Sequence, residues 1–331
     1  MIPLVSIGCP VYNGANHIGS LFECLLGQTY GNIEIIISDN KSTDGTLDIC
    51  EAYAQQDARI RIFRSTKNQG VLWNLENSFA LSSGKYFMWA CVGDEWRKEF
   101  VSVCVRALID DETLVLSGCA VHLVSESGAT IMAVDPGVQT VGIEPVARVK
   151  RYLEHVDGPV NINGIFCGIY RSDVLGALLP LKRVLGQDHI LLALANLYGG
   201  VTCSKTVLMN KRWGGLSKNI SSQLAAIFPD RTIVRTLHRT LPYVCRDYYL
   251  RKTLFSQSRL SSDAKRQLSF FLYRHYFTIR FRKSRKYLER LWVGLWSDCW
   301  SLSRRLRGYT DQPWRPNVLP RWKSRKDKQR V

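Results

Sequence analysis

Five short segments carry the residue types that chemistry uses: P-V-Y-N (Pro10 to Asn13), S-D-N-K-S-T-D-G (Ser38 to Gly45), N-Q-G-V-L-W-N (Asn68 to Asn74), G-K-Y-F-M-W-A-C-V-G-D-E-W (Gly84 to Trp96) and G-Q-D-H-I-L-L-A-L-A-N-L-Y-G (Gly186 to Gly199). Tyr12 offers an aromatic face to a flat ring, and Asp39 a carboxylate to an N–H donor. Gly70 lets backbone approach a ligand closely at a helix start, where the unpaired N–H groups favour negative charge. Asp94 and Glu95 supply the oxygens that hard Mg²⁺ or Mn²⁺ prefers. Asp188 opens an amphipathic pattern, where a carboxylate can cap the helix. Each residue also has a structural use: Tyr12 as a core aromatic, Asp39 as a turn former with Ser42 and Thr43.

These segments need strands and helices to hold them. Leu4 to Cys9 and Ile33 to Ser38 are nearly continuous apolar runs ended by turn residues, the pattern of buried parallel strands. Asn16 to Leu26 has apolar residues at helical spacing, and a second helix is predicted from near Asp44 through Tyr53. Ile60 to Phe63 reads as a strand, Val71 to Ser82 as a helix and Tyr86 to Ala90 as a fourth strand. Further on, Leu114 to Val124 and Ile165 to Tyr170 read as strands, Ser125 to Pro145 as a hairpin or loop, and Asp188 to Leu197 as a helix. Strand and helix alternate, which predicts an α/β sandwich with a mainly parallel central sheet and ligands at the strands' carboxyl ends.

In order and spacing, these segments resemble the nucleotide-sugar half of family 2 glycosyltransferases, over roughly residues 3–217. The resemblance implies an A-type glycosyltransferase fold and an inverting transfer of one sugar to a hydroxyl acceptor, in cell-surface polysaccharide or glycolipid biosynthesis. It assigns Pro10, Tyr12, Asn13, Asp39, Asn68, Gly70, Asn74 and Asp94 to the donor, with Tyr12 and Asp39 at the base. It makes Asp188 the general base, with Gln187 where the family often has glutamate. Asn163, Arg212 and Trp213 become acceptor or phosphate candidates, the last two in a flexible basic segment, Lys211 to Ser217, that closes over the donor. A Mg²⁺ or Mn²⁺ cofactor is implied at Asp94, with Glu95 able to help only if the chain turns there. The chain departs from the family here: related enzymes carry two or three aspartates, whereas Cys91-Val92-Gly93-Asp94-Glu95 keeps one of them with a glutamate beside it. Two readings stay open: an enzyme with a weakened metal site, and a sugar-nucleotide-binding protein impaired in turnover.

The net charge of +17 is unevenly spread: residues 1–210 hold 16 Lys/Arg against 21 Asp/Glu, and residues 211–331 hold 29 against 7. This divides the chain into a catalytic domain over 1–220, a helical basic and aromatic extension over 221–312, and a disordered basic tail over 313–331. In the extension, Trp292, Trp296 and Trp300 fall four apart among arginines, the composition of a helix lying on anionic lipid, of a helix packed on the catalytic domain, or, ranked lowest, of a nucleic-acid contact. With no signal-peptide pattern, no apolar run of about 20 residues and ten cysteines without C-x-x-C pairing, the sequence predicts a cytoplasmic protein, peripheral on the inner face of the membrane. Its expected partners are a nucleotide-sugar donor and a glycan or lipid-linked acceptor, with no nucleic acid.

Overall fold

The computed structural model describes residues 2–134, 139–156, 164–213, 220–228 and 242–274. Its first half alternates as the sequence predicts: β1 (Val5–Val11), α1 (Ala15–Leu26), β2 (Ile33–Asp39), α2 (Thr46–Gln56), β3 (Ile60–Arg64), α3 (Val71–Ala80) and β4 (Tyr86–Trp89). There follow β5 (Glu95–Trp96), α4 (Phe100–Asp110), β6 (Leu114–Val124), β7 (Thr130–Val134) and α5 (Pro145–Val156). Then come a 3₁₀ turn (Gly164–Cys167), β8 (Ile169–Arg171), α6 (Ser172–Leu178), α7 (Gln187–Tyr198), β9 (Gly200–Arg212), α8 (Ile220–Ile227) and α9 (Pro242–Phe255). Residues 262–274 are also helical.

One mixed sheet runs in the order β3-β2-β1-β4-β8-β6-β9-β5, with β7 paired to β6. The α/β sandwich is as expected, and its parallel character resides in β3-β2-β1-β4 and in the β6-β9 pair. β8 runs antiparallel to both β4 and β6. This reversal matters for function, because it brings the residues just before β8 to the carboxyl end of β4.

The core follows from the apolar pattern. Ile18, Leu21, Phe22 and Leu25 of α1 are all buried at the predicted spacing. Trp89 is fully buried, stacked on Phe166 at 4.9 Å and edge-on to Phe87 and Tyr170, and its indole N–H donates to the Leu75 carbonyl at 3.0 Å. Burying one such side chain contributes about 1.5–3 kcal/mol. Between β1 and β2, Glu34 accepts from Ser6 Oγ (2.6 Å), Ser83 N–H and Oγ (both 2.8 Å) and Arg61 (2.8 Å), so its charge is held by four donors.

Two expectations need correction. Ile165 to Tyr170 is not a continuous strand: residues 164–167 form the 3₁₀ turn, and only Ile169–Arg171 pair. The glycines explain it, because a Cβ on Gly164 would lie 2.4 Å from Val121 Cγ2 and one on Gly168 2.6 Å from the Ser117 carbonyl. The chain presses too closely on β6 there to carry an ordinary pleat. Nor are Lys211 and Arg212 in a flexible segment; they end the 13-residue strand β9, while residues 214–219 lie outside the described part.

Candidate active site

Parallel pairing brings the first candidates to one edge. Val11 pairs with Asp39 and Asp39 with Arg64, while Gly8 pairs with Trp89, so the loops after β1, β2, β3 and β4 all leave the sheet on the same side. Pro10 lies within β1 opposite Ser38, and Tyr12, just past the strand, is 49% exposed and open to a ligand. Asn13 follows at φ 51°, a left-handed turn that asparagine tolerates. Its N–H donates to Ser42 Oγ (2.9 Å), and its Oδ1 accepts from the Thr43 N–H (2.8 Å). Asp39 is fully buried, and both its oxygens accept from the Ser42 N–H at 3.2 Å. The turn-forming use of Asp39 is therefore present, and a carboxylate with two oxygens retains lone pairs for a ligand.

Asn68, Gly70 and Asn74 knit the loops together. Asn68 Oδ1 accepts from the Gly70 N–H and from Asn40 Nδ2, both at 2.9 Å. Gly70, at φ 88°, precedes α3 in a conformation glycine favours. Asn74 is buried, donating to the Val11 carbonyl (3.2 Å) and accepting from Ser38 Oγ (2.6 Å). Asn40, which the sequence reading did not single out, is a hub: it is 2% exposed, donates to Asn68 and the Gly70 carbonyl, and accepts from the Gln69 N–H. Its only signal was its place beside Asp39. Lys67 is exposed.

The acidic segment after β4 is closed by β5. Glu95 and Trp96 pair antiparallel with Asn210 and Met209, which folds residues 91–94 against the end of β9. Asp94, 7% exposed, then receives Lys211 Nζ on Oδ2 (3.2 Å) and the Arg212 N–H on Oδ1 (3.0 Å). Arg212 also donates from Nε to the Gly93 carbonyl (3.1 Å) and from Nη1 to the Glu126 carbonyl (2.7 Å). Burial alone would lower the Lys211 ammonium's pKa, but the Asp94 carboxylate together with the Cys167 and Cys91 thiols outweighs it and holds the group well above the usual lysine range. The chain does turn at Gly93 (φ 100°), yet the Glu95 carboxylate faces Asn210 Nδ2 (3.3 Å) and Arg212 Nη2 (3.5 Å).

The side chains that lie with Asp94 do not match a hard divalent ion. Among the described residues, the one cluster of possible ligands there is Cys91, Asp94 and Cys167, with donor atoms within 4.8 Å of one another. Two of the three are thiols, whereas Mg²⁺ and Mn²⁺ favour carboxylate, carbonyl and water oxygens. A hydrogen bond from Cys167 holds the Cys91 thiol below the usual range, and the same contact pushes Cys167 up.

Asp188 stands in the first turn of α7, partly buried, after Gly186 at φ 79°. A Cβ at Gly186 would meet Arg246 Cδ at 3.0 Å, so α9 packs against the start of α7. Burial, then the Cys167 thiol, then the Asp188 charge push the Tyr170 hydroxyl far up. His189 is engaged with the Tyr152 hydroxyl at 3.3 Å. Trp213 is 53% exposed, and its N–H donates to the Val124 carbonyl at 2.7 Å. Asn163, the tail over 313–331 and the expected helices beyond residue 274 lie outside the described residues. Arg171 of β8 donates to the Leu114 and Leu108 carbonyls, both at 2.6 Å. Among the described residues no helix is long and apolar enough to cross a membrane.

Residues 6–163 match the family model described as Glycosyl transferase family 2. Asp188, Lys211 and Arg212 lie beyond that stretch. Glycosyltransferase GlyG of Streptococcus pneumoniae is 35% identical over 86 residues, covering 26% of this chain and 29% of that protein. Chondroitin synthase of Pasteurella multocida is 32% identical over 113 residues, covering 34% of this chain and 12% of that one. The chain spans well under two thirds of the length of these relatives. In structure it is similar to S. aureus TarS 1-349 in complex with UDP-GlcNAc, with a TM-score of 0.59 at 16% identity, covering 85% of this chain and 74% of that one. It is also similar to the mannosyltransferase PcManGT of Pyrobaculum calidifontis in complex with GDP-Man and Mn²⁺, at TM-score 0.50 and 15% identity over 90% and 88% of the two chains. At such identities these likenesses speak for the fold. The PcManGT structure holds Mn²⁺, whereas two of the three possible ligands clustered at Asp94 in this chain are thiols.

Proposed function

The chain belongs to glycosyl transferase family 2 through residues 6–163, and from that premise we propose that it moves one sugar from a nucleotide-sugar donor to a hydroxyl acceptor with inversion. The observation that carries the reading is the common edge on which Tyr12, Asp39, the Asn68–Gly70 turn and Asp94 meet, at the carboxyl ends of β1 to β4, where α/β sheets bind ligands.

On this reading Tyr12 packs on the base, while Asp39 accepts from its ring N–H. Asn13, Asn68, Gly70 and Asn74 shape the loops around the nucleotide, and Asp94 anchors the positive charge that faces the diphosphate. Asp188 accepts the proton of the acceptor hydroxyl as its oxygen bonds to the anomeric carbon. The bond from that carbon to the phosphate oxygen breaks on the opposite face, and the nucleoside diphosphate leaves with the electron pair. Arg212 and Trp213 border the sugar side.

The acceptor fits a growing glycan or a lipid-linked saccharide, in assembly of a cell-surface polymer. Support comes from the chondroitin synthase relative and from the helices over 242–274, where Tyr248, Phe270 and Tyr273 are exposed, as are Arg251, Lys252 and Arg274. Such a surface suits the anionic inner face of a membrane.

The reading is tested by screening UDP- and GDP-sugars for a rise in melting temperature, then following nucleoside diphosphate release and the anomeric configuration of the product by NMR. A stabilising donor that is turned over with inversion supports it. Binding without release in any acceptor mixture would point instead to a donor-binding protein impaired in turnover, which Gly93 at an expected carboxylate position favours.

A further inference from the structure

The side chains around Asp94 assign the cation at the diphosphate to the protein itself. We propose that the Lys211 ammonium, seated on Asp94, does the work a divalent ion does in metal-dependent relatives, so that donor binding and transfer by this chain do not require such an ion. The proposal rests on the glycosyl-transfer reading above.

Three observations converge on it. First, Asp94 is already neutralised: Lys211 Nζ lies 3.2 Å from one oxygen, and the Arg212 N–H lies 3.0 Å from the other. A metal binding there would have to displace a lysine that β9 fixes in register, since Asn210 and Met209 pair with β5 immediately before it. Second, the oxygens that would complete a hard-ion site are missing or turned away. Gly93 has no side chain, Glu95 is engaged with Asn210 and Arg212, and the remaining nearby donors are the Cys91 and Cys167 thiols. Third, the Lys211 side chain remains 28% exposed while Asp94 is 8% exposed. The lysine is therefore the more exposed member of the pair, and the carboxylate the more enclosed.

That order is what a phosphate-facing cation needs. An ammonium has three donors in tetrahedral array, so one can stay on Asp94 while others reach the donor's phosphate oxygens. During transfer, the bond from the anomeric carbon to the phosphate oxygen breaks and negative charge grows on the departing diphosphate. Lys211 meets that charge with no proton transferred, and the acceptor's proton still goes to Asp188. Positioned cations of this kind stabilise a leaving phosphate as a metal does, by charge already in place.

The test measures UDP and GDP binding calorimetrically, in EDTA and in Mn²⁺, for the parent, Lys211→Met and Lys211→Arg, with transfer assayed in parallel. The proposal predicts that the parent binds its nucleotide equally in EDTA and Mn²⁺ and that turnover survives EDTA. Lys211→Met should weaken binding by about tenfold or more, and Lys211→Arg should restore most of it. Parent binding or turnover that collapses in EDTA and returns with Mn²⁺ would overturn it, as would a folded Lys211→Met that binds like the parent. Absence of binding to every nucleotide would instead defeat the glycosyl-transfer reading, and this inference with it.

Discussion

Lys211 Nζ lies 3.2 Å from Asp94 Oδ2, an ion pair between residues 117 apart in sequence that the β5–β9 pairing brings together. Removing one partner strands the other in a largely enclosed place. Asp94→Ala is expected to cost about 3 kcal/mol, the low end for a broken buried pair because Lys211 retains some solvent. Urea unfolding of the variant and of Asp94→Ala/Lys211→Ala measures this. The double variant should recover part of the loss, since it leaves no unpaired charge.

Gly93 separates backbone from side-chain effects in the same loop. Its φ of 100° disfavours any Cβ, yet a Cβ there would meet nothing nearer than Arg212 Cδ at 3.9 Å. Gly93→Ala should therefore lose about 1–2 kcal/mol through backbone strain alone. Thermal melts should show the loss, with nucleotide affinity little changed.

Glu34 gives the fold a pH dependence. Burial would raise its pKa, but hydrogen bonds from Ser6, Ser83 and Arg61 outweigh it and hold the carboxyl below its ordinary value. A group depressed in the folded state stabilises it above the unfolded value of about 4.3, and that contribution disappears as pH falls through the lower folded value. Stability measured from neutral to acid pH should fall in that window. Glu34→Gln should remove this part of the slope and cost about 1–3 kcal/mol near pH 7, because buried donors lose a charged acceptor.

Trp89 joins the core to the site. Its ring stacks on Phe166 at 4.9 Å, one residue from Cys167, and its N–H is satisfied by Leu75. Trp89→Ala should cost about 3–5 kcal/mol. Trp89→Phe, which leaves the Leu75 carbonyl without this donor, should cost less, as chemical denaturation of the two variants would reveal.

The first half of the fold was legible because its strands are short apolar runs with turn residues at their ends, and Ile33–Asp39 is buried at every position. The second half was harder to read. β9 alternates poorly, its burial interrupted by Lys205 and Thr206, so periodicity pointed to no long strand. The two-residue β5 is too short for any pattern, yet it closes the site. The candidates on β1 to β4 could be placed because parallel strands share one carboxyl edge. Lys211 could not, because its role depends on a pairing between Glu95 and Asn210 that no local signal announces. Gly168 sits within the expected strand and Gly164 just before it, and their meaning comes only from the closeness of Ser117 and Val121.

Asp39 is the most enclosed of the donor-site candidates. Asp39→Asn keeps the shape of the turn but removes the charge, so it should weaken binding of the cognate nucleoside diphosphate by about tenfold or more, the loss of a hydrogen bond to a charged group. Calorimetric titration of parent and variant reads this directly, with the melting temperature as the check that Ser42 still holds the turn.

The most direct measurement is steady-state transfer from the cognate nucleotide sugar by the parent and by Asp188→Asn, with nucleotide affinity measured on the same preparations. Loss of the proton acceptor should lower kcat by about a hundredfold or more while affinity stays nearly unchanged. A folded Asp188→Asn that transfers sugar at the parent's rate would contradict the assignment of acid–base chemistry to the start of α7.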